Sequence, residues 1–288
     1  MEKDERTQTM GMKTRWVAIL AAAALFACAP RGNAQSDAQS GAPTGQIDGI
    51  AHVAYRVSNL DKEMDFFKKL GYEEAFSRTQ GGKTVQAFVK VNNRQFIEVY
   101  PQTKPDEPLG WMHVCYESAD LNALYSLYVS RGLDLSRVVK AGAGNLITHL
   151  KDPDGRTTEF TQYMPGSLHT MDRGKHLGAD RVSEEMLGFE LPVGDLAAAR
   201  EFYKKLGFDE EKTEGGIRMT APGAPDLRIE VHAARPRERA QMLFLVADAR
   251  KAADELKSRG LDARRVKGLV FVHDPGGNSF VFLEGKQP

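Results

Sequence analysis

The sequence predicts an α+β protein of four βαβββ modules, paired into two tandem domains, each a curved mixed sheet with helices outside. Three repeats predict it. HVAY, His52 to Tyr55, returns as HVCY, His113 to Tyr116, 61 residues later. FFKKLGY at 66–72 returns as FYKKLGF at 202–208. KDPDGRTTEF at 151–160 returns as HDPGGNSFVF at 273–282. Similarity at regular intervals marks a duplicated structural unit, and paired units of this size join their sheets into one larger curved layer.

The chain starts with a segment of another kind. Met12-Lys13-Thr14-Arg15 is basic, and WVAILAAAALFA at 16–27 is an apolar run of secretory-signal length. Residues 1–11 read as an upstream extension. Leu25-Phe26-Ala27-Cys28 resembles a bacterial lipobox, so residues 1–28 are expected to be a lipoprotein signal with Cys28 lipidated. Ordinary cleavage after Gly32-Asn33-Ala34 is the competing expectation, and either one implies export. APRGNAQSDAQSGAPTGQ at 29–46 has no apolar period and reads as a flexible tether. Apart from Cys28, Cys115 is the one cysteine, which leaves no intramolecular disulfide.

The first module opens with IDGIAHVAYRV at 47–57, which alternates and is β-branched enough to be a strand. In SNLDKEMDFFKKLGY, Ser58 or Asn59 caps a helix, Leu60, Met64, Phe67 and Leu70 form its apolar stripe, and Gly71 ends it. EEAFSR, TVQAFVKV and QFIEVYP then read as strands, separated by turns at Gly81-Gly82 and Asn92-Asn93. The second module repeats this plan with the helix ADLNALYSLYVSRG and closing strands NLITHLKD and RTTEFTQY. Residues 47–164 form the first domain in this reading. A solvated polar linker spans 165–185, and a second domain, carrying ELPVGDLAAAREFYKKLGFDEE and LFLVADARKAADELKSRGLD, spans 186–288.

Alternation along a strand decides which side chains share a face. Glu98 lies 46 residues after His52, and Glu159 lies 46 residues after His113. A pseudo-twofold relation between the modules presents two imidazoles and two carboxylates together, a mixed N/O set suited to a first-row divalent ion. Taken singly, a strand histidine is more often a packed residue and a strand glutamate a solvated one. The joint recurrence at one phase favours a metal site. Fe, Mn, Ni, Co and Zn all suit such a set.

The repeated βαβββ unit, with His on its first strand and Glu on its last, resembles the vicinal oxygen chelate superfamily of glyoxalases, bleomycin-resistance proteins and extradiol dioxygenases. The resemblance covers about Ile47 to Gly285. It implies a metal held by His52, Glu98, His113 and Glu159 in the glyoxalase manner. In the extradiol manner it implies iron on His52, His113 and Glu159, with Glu98 outside the set. At the equivalent positions the second domain carries Gly188, Glu230, Gln241 and Val281, so it is expected to cover or shape the site without binding metal.

The resemblance also implies Lewis-acid chemistry on a substrate that chelates through neighbouring oxygens. Glu159 or Glu98 is the candidate base, and symmetry does not choose between them. Arg56 and Tyr163 share parity with the ligands and are candidate substrate contacts. A metal-dependent lyase or isomerase is the first expectation, a ring-cleaving dioxygenase the second, and a non-enzymatic small-molecule binder the third. Lysine plus arginine equals aspartate plus glutamate, 39 each, so no charge excess points to nucleic acid. A membrane partner is expected only through Cys28, and a homodimer stays open.

Overall fold

The computed structural model describes residues 45–285. The signal segment, the candidate lipidation site Cys28 and nearly all of the tether lie outside the described residues.

The four modules follow one another in the order expected. The first consists of β1 (Gly49–Val57), α1 (Leu60–Lys69), β2 (Glu73–Gln80), β3 (Lys83–Lys90) and β4 (Phe96–Pro101). The second consists of β5 (Gly110–Glu117), α2 (Leu121–Ser130), β6 (Val139–Lys140), β7 (Leu146–Lys151) and β8 (Thr157–Gln162). After a short helix α3 (Leu168–Met171), the third has β9 (Glu185–Val193), α4 (Leu196–Lys205), β10 (Asp209–Lys212), β11 (Ile217–Ala221) and β12 (Ala224–Ala233). The fourth has β13 (Gln241–Val246), α5 (Ala249–Ser258), β14 (Arg264–Val266), β15 (Leu269–His273) and β16 (Ser279–Glu284).

Each module helix starts for the same reason. Asn59, Asp120, Asp195 and Asp248 stand at the N-caps with extended backbone, and each side chain accepts from amides of the first turn. Of the two cap candidates for α1, the structure selects Asn59, whose Oδ1 accepts from Lys62 N at 3.0 Å. Gly71 ends the helix at φ +83°, a conformation that side-chain-bearing residues rarely adopt.

Two eight-stranded sheets result, ordered β2-β3-β4-β1-β5-β8-β7-β6 and β10-β11-β12-β9-β13-β16-β15-β14. Within a module the first and last strands run parallel, and the modules of a domain meet through an antiparallel seam, β1 with β5 and β9 with β13. One of the two sheets curls into a half-barrel. The seam of the first sheet carries two register irregularities, between Ile50 and His52 and between Ala54 and Tyr55, bracketing the middle of β1. Such bulges bend strands and re-aim side chains next to sites.

One parity of these strands builds the core. Val53, Tyr55, Ile97, Val99, Val114, Tyr116 and Phe160 are all buried, and they belong to one cluster that continues into the second domain. Phe280 of β16 packs on Phe66 and Phe67 of α1, with ring centroids 5.0 and 5.8 Å apart. On the pseudo-symmetric side, Tyr116 meets Phe208 at 5.7 Å and the Tyr128 hydroxyl donates to Leu206 O. The two domains therefore share a single apolar interior, and the opposite parity of the first sheet is left for the site.

The segment between the domains departs from the expected solvated linker. Its residues Ser167, His169 and Asp172 are buried. Lys90 of β3, fully buried, donates from Nζ to Asp172 Oδ2 at 2.7 Å, which anchors the end of α3 on the first domain. A buried ammonium requires such a partner, and the nearest carboxylate comes from this segment.

Candidate metal centre

The site is assembled by register. His52 pairs across the seam with Cys115, and His113 pairs with Ala54. Glu98 of β4 lies opposite Ala54, while Glu159 of β8 lies opposite Cys115. One rung of the sheet thus reads His52, Cys115, Glu159, and the next reads Glu98, Ala54, His113. Each histidine shares its rung with the glutamate of the other module, and a small, fully buried side chain separates them.

The four donors converge. The two Nε2 atoms are 3.1 Å apart, and His52 Nε2 lies 3.4 Å from Glu159 Oε1 and 3.5 Å from Glu98 Oε1. His113 Nε2 is 3.8 Å from Glu98 Oε2. Two donors bound to one ion at about 2.1 Å and at right or tetrahedral angles are themselves about 3.0–3.4 Å apart. The spacings around His52 Nε2 are near those of donors that share a divalent ion, whereas Glu98 turns a different oxygen to each histidine. His52, His113 and Glu159 form the tightest set, with one ligand atom from each lying within 4.8 Å of the others.

The carboxylates are held differently. Glu98 Oε2 accepts from Tyr100 OH at 2.9 Å and from Gln86 Nε2 at 2.9 Å, and Gln86 Oε1 accepts from Arg78 Nη1 at 3.1 Å. Among the described residues Glu159 has no amide and phenol pair like that on Glu98, and it is less enclosed, with side-chain exposure of 16% against 7% for Glu98. The centre is thus most accessible on the side of Glu159 and His113. Gln86 and Arg78 were not foreseen, since they stand on the unrepeated middle strands. Tyr100 shares parity with Glu98, and that parity marks it in the sequence.

Charge in the cluster follows from burial and proximity. Burial works against a charged His52, but Glu98 and then Glu159 outweigh it and raise its pKa. Burial and then the neighbouring His52 lower that of His113. Burial by itself would raise the Glu159 carboxyl, yet His52 and then His113 hold it down at about 2.

The candidate substrate contacts lie elsewhere on the same face. Arg56 Nη1 donates to Pro108 O at 3.2 Å, and its Nε stands 3.8 Å from Glu107. Tyr163 donates to Arg94 O at 2.7 Å and stacks on His169 with centroids 5.2 Å apart. His169 sits in a cage of Phe76, Phe88, Phe96 and Tyr163, and burial lowers its pKa to about 3. No repeat signals it, because it lies between the domains.

Register confirms the equivalences in the second domain. Gly188 lies opposite Leu243, Gln241 opposite Glu190, Glu230 opposite Glu190, and Val281 opposite Leu243. Glu230, the one ligand-type residue among the four, accepts from Arg218 at 2.8 Å and Arg228 at 2.6 Å, which neutralises it. Gly188 has φ +152°, and a Cβ there would stand 1.8 Å from Arg228 O. His232 instead faces Glu190, with Nε2 3.1 Å from Oε1.

Comparison with known proteins agrees with this architecture. The curated lactoylglutathione lyase GLX1 of Arabidopsis thaliana is 28% identical over 170 residues, covering 54% of this chain and 52% of the relative. The chain thus spans about half the length of that relative. Among solved structures, the 2,3-dioxygenase LapB from Pseudomonas sp. KL28 superposes with a TM-score of 0.65 at 15% identity, covering 85% of this chain and 94% of LapB. The Mn(II)-bound glyoxalase from Novosphingobium aromaticivorans superposes at 0.63 with 16% identity, covering 82% of each chain. At such identities these two speak for the fold alone. The model of the Glyoxalase/Bleomycin resistance protein/Dioxygenase superfamily matches residues 49–160 and 185–282, one stretch in each domain. With both halves matched and the fold shared, the chain belongs to that superfamily.

Proposed function

We propose that this protein is a divalent-metal-dependent enzyme of lyase or isomerase type, acting on a small substrate with adjacent oxygen atoms. The set His52, His113 and Glu159, with one ligand atom from each within 4.8 Å of the others, and Glu98 Oε1 3.5 Å from His52 Nε2, supports it. A divalent ion bound there supplies Lewis acidity to the substrate oxygens. Glu159 is the base in this reading. The clamp of Tyr100 and Gln86 keeps Glu98 in place, and the more exposed Glu159 takes the proton from a carbon beside a carbonyl.

A second reading has its own supporting observation. The tight set His52, His113 and Glu159, with Glu98 drawn toward Tyr100 and Gln86, matches the two-histidine, one-carboxylate pattern of iron oxygenases. It would make the protein a ring-cleaving dioxygenase using Fe(II).

Glu98→Gln separates the two. In the four-ligand reading this variant weakens metal affinity at least tenfold and abolishes lyase or isomerase turnover, assayed first with methylglyoxal and glutathione. In the three-ligand reading it keeps one equivalent of metal by elemental analysis, and the wild type with Fe(II) consumes oxygen on a catechol panel. Wild-type protein that takes up no metal would leave only a binding role for the fold.

A further inference from the structure

We propose that His169, supplied by the segment between the domains, is a substrate-contacting residue of the first-domain site, donating an Nε2–H hydrogen bond to an acceptor oxygen of the chelated substrate. This deepens the reading of His52, His113, Glu98 and Glu159 as a metal site and rests on it.

Placement comes first. Phe96 lies opposite His52 and Phe88 lies opposite Glu98, on the face that carries the ligands. The His169 ring stands 4.7 Å from the Phe96 ring and 5.2 Å from that of Phe88, with Tyr163 stacked along its other side. Adjacent strands lie about 4.8 Å apart, so the two rings that carry the imidazole are each the cross-strand neighbour of a candidate ligand. Lys90 on Asp172, and Asn93 Oδ1 accepting from Gly174 N, tie the segment down on either side of the turn after α3.

The tautomer follows from the hydrogen bonds. Asn145 Oδ1 accepts from Met164 N at 3.2 Å, which turns its Nδ2 donor toward His169 Nδ1 at 2.9 Å. His169 Nδ1 is then an acceptor and its proton sits on Nε2. That Nε2–H is buried and has no partner among the described residues, although His169 as a whole is only 4% exposed. An unsatisfied buried donor is destabilising, and phenylalanine or leucine would fill an aromatic cage without that cost. A donor kept there at such a cost is accounted for by an acceptor that arrives with the substrate. The ligand class is therefore a chelating oxygen compound with a further carbonyl, carboxylate or enolate oxygen. A competing use of the same proton is an N–H contact with the faces of Phe88 or Phe96, which stand at 90° and 85° to the ring.

Oxalate, with two chelating and two outer oxygens, is the probe. The full chain is loaded with Zn(II), metal content is measured, and oxalate binding is followed by calorimetry for wild type, His169→Phe and His169→Gln. The expected result is one equivalent of zinc in all three, oxalate binding at least tenfold weaker in His169→Phe, and His169→Gln within about threefold of wild type because it retains a donor. Equal oxalate affinity in wild type and His169→Phe, both fully metallated, overturns the assignment and leaves the N–H to the phenyl faces. Absence of zinc from wild type overturns the metal reading itself. A nitrogen-15 spectrum of the histidines is a check that needs no variant: the Nε2–H tautomer is expected for His169, and the Nδ1–H tautomer would overturn the assignment.

Discussion

Ala54 and Cys115 do quiet work at the residue scale. Each occupies the middle of a rung whose outer members are ligands, and each is fully buried. A larger side chain at either place would project into the space over which the donors converge. Ala54→Leu is therefore expected to abolish metal uptake while the chain still folds, since the added methyl groups take the ion's volume rather than any core space. The check is metal content beside an unchanged far-ultraviolet circular dichroism spectrum; full metal occupancy in Ala54→Leu would mean that the ion lies away from this rung.

At the scale of elements, α1 and the turn between β15 and β16 form a carboxyl pair across the domains. Glu63 of α1 is 2% exposed, and Asp274 of the turn accepts from Asn278 N at 2.7 Å and Nδ2 at 2.6 Å. Burial first, and then the Asp274 charge and hydrogen bond, raise the Glu63 pKa to about 9. A carboxyl raised in the folded state supports folding fully below its ordinary value of about 4.5, and that support is lost as pH climbs through 9. Stability is thus expected to fall between those limits, by up to about 1.4 kcal/mol per pH unit. Glu63→Gln should flatten the slope in urea titrations at pH 5, 7 and 9. A wild-type profile already flat over that range would contradict the shared proton.

At the scale of the molecule the two described domains pack around one apolar interior that runs through both. Phe280 is its most connected aromatic ring across the boundary, reaching Tyr55, Phe66 and Phe67. Phe280→Ala is expected to cost about 3–5 kcal/mol and to lower a single cooperative unfolding transition rather than split it. Calorimetry showing two transitions, with only the later residues destabilised, would refute that coupling. This boundary was illegible in the sequence, since Phe280 reads as any apolar strand residue until the sheets are docked. The modules and the four candidate ligands were legible for the opposite reason: duplication writes the same residue at the same phase twice, which singles it out from background. His169, Gln86 and Arg78 lie where nothing is duplicated, and only the folded chain brings them to the site. The first two were hidden for different causes, one by lying between repeats and the other by looking like a routine strand glutamine.

Gly188 also limits redesign. Because a Cβ there would collide with the Arg228 carbonyl at 1.8 Å, histidine cannot enter this place while β9 and β12 keep their present spacing. Furnishing the second half with a centre of its own would mean prising that strand pair apart before changing any side chain.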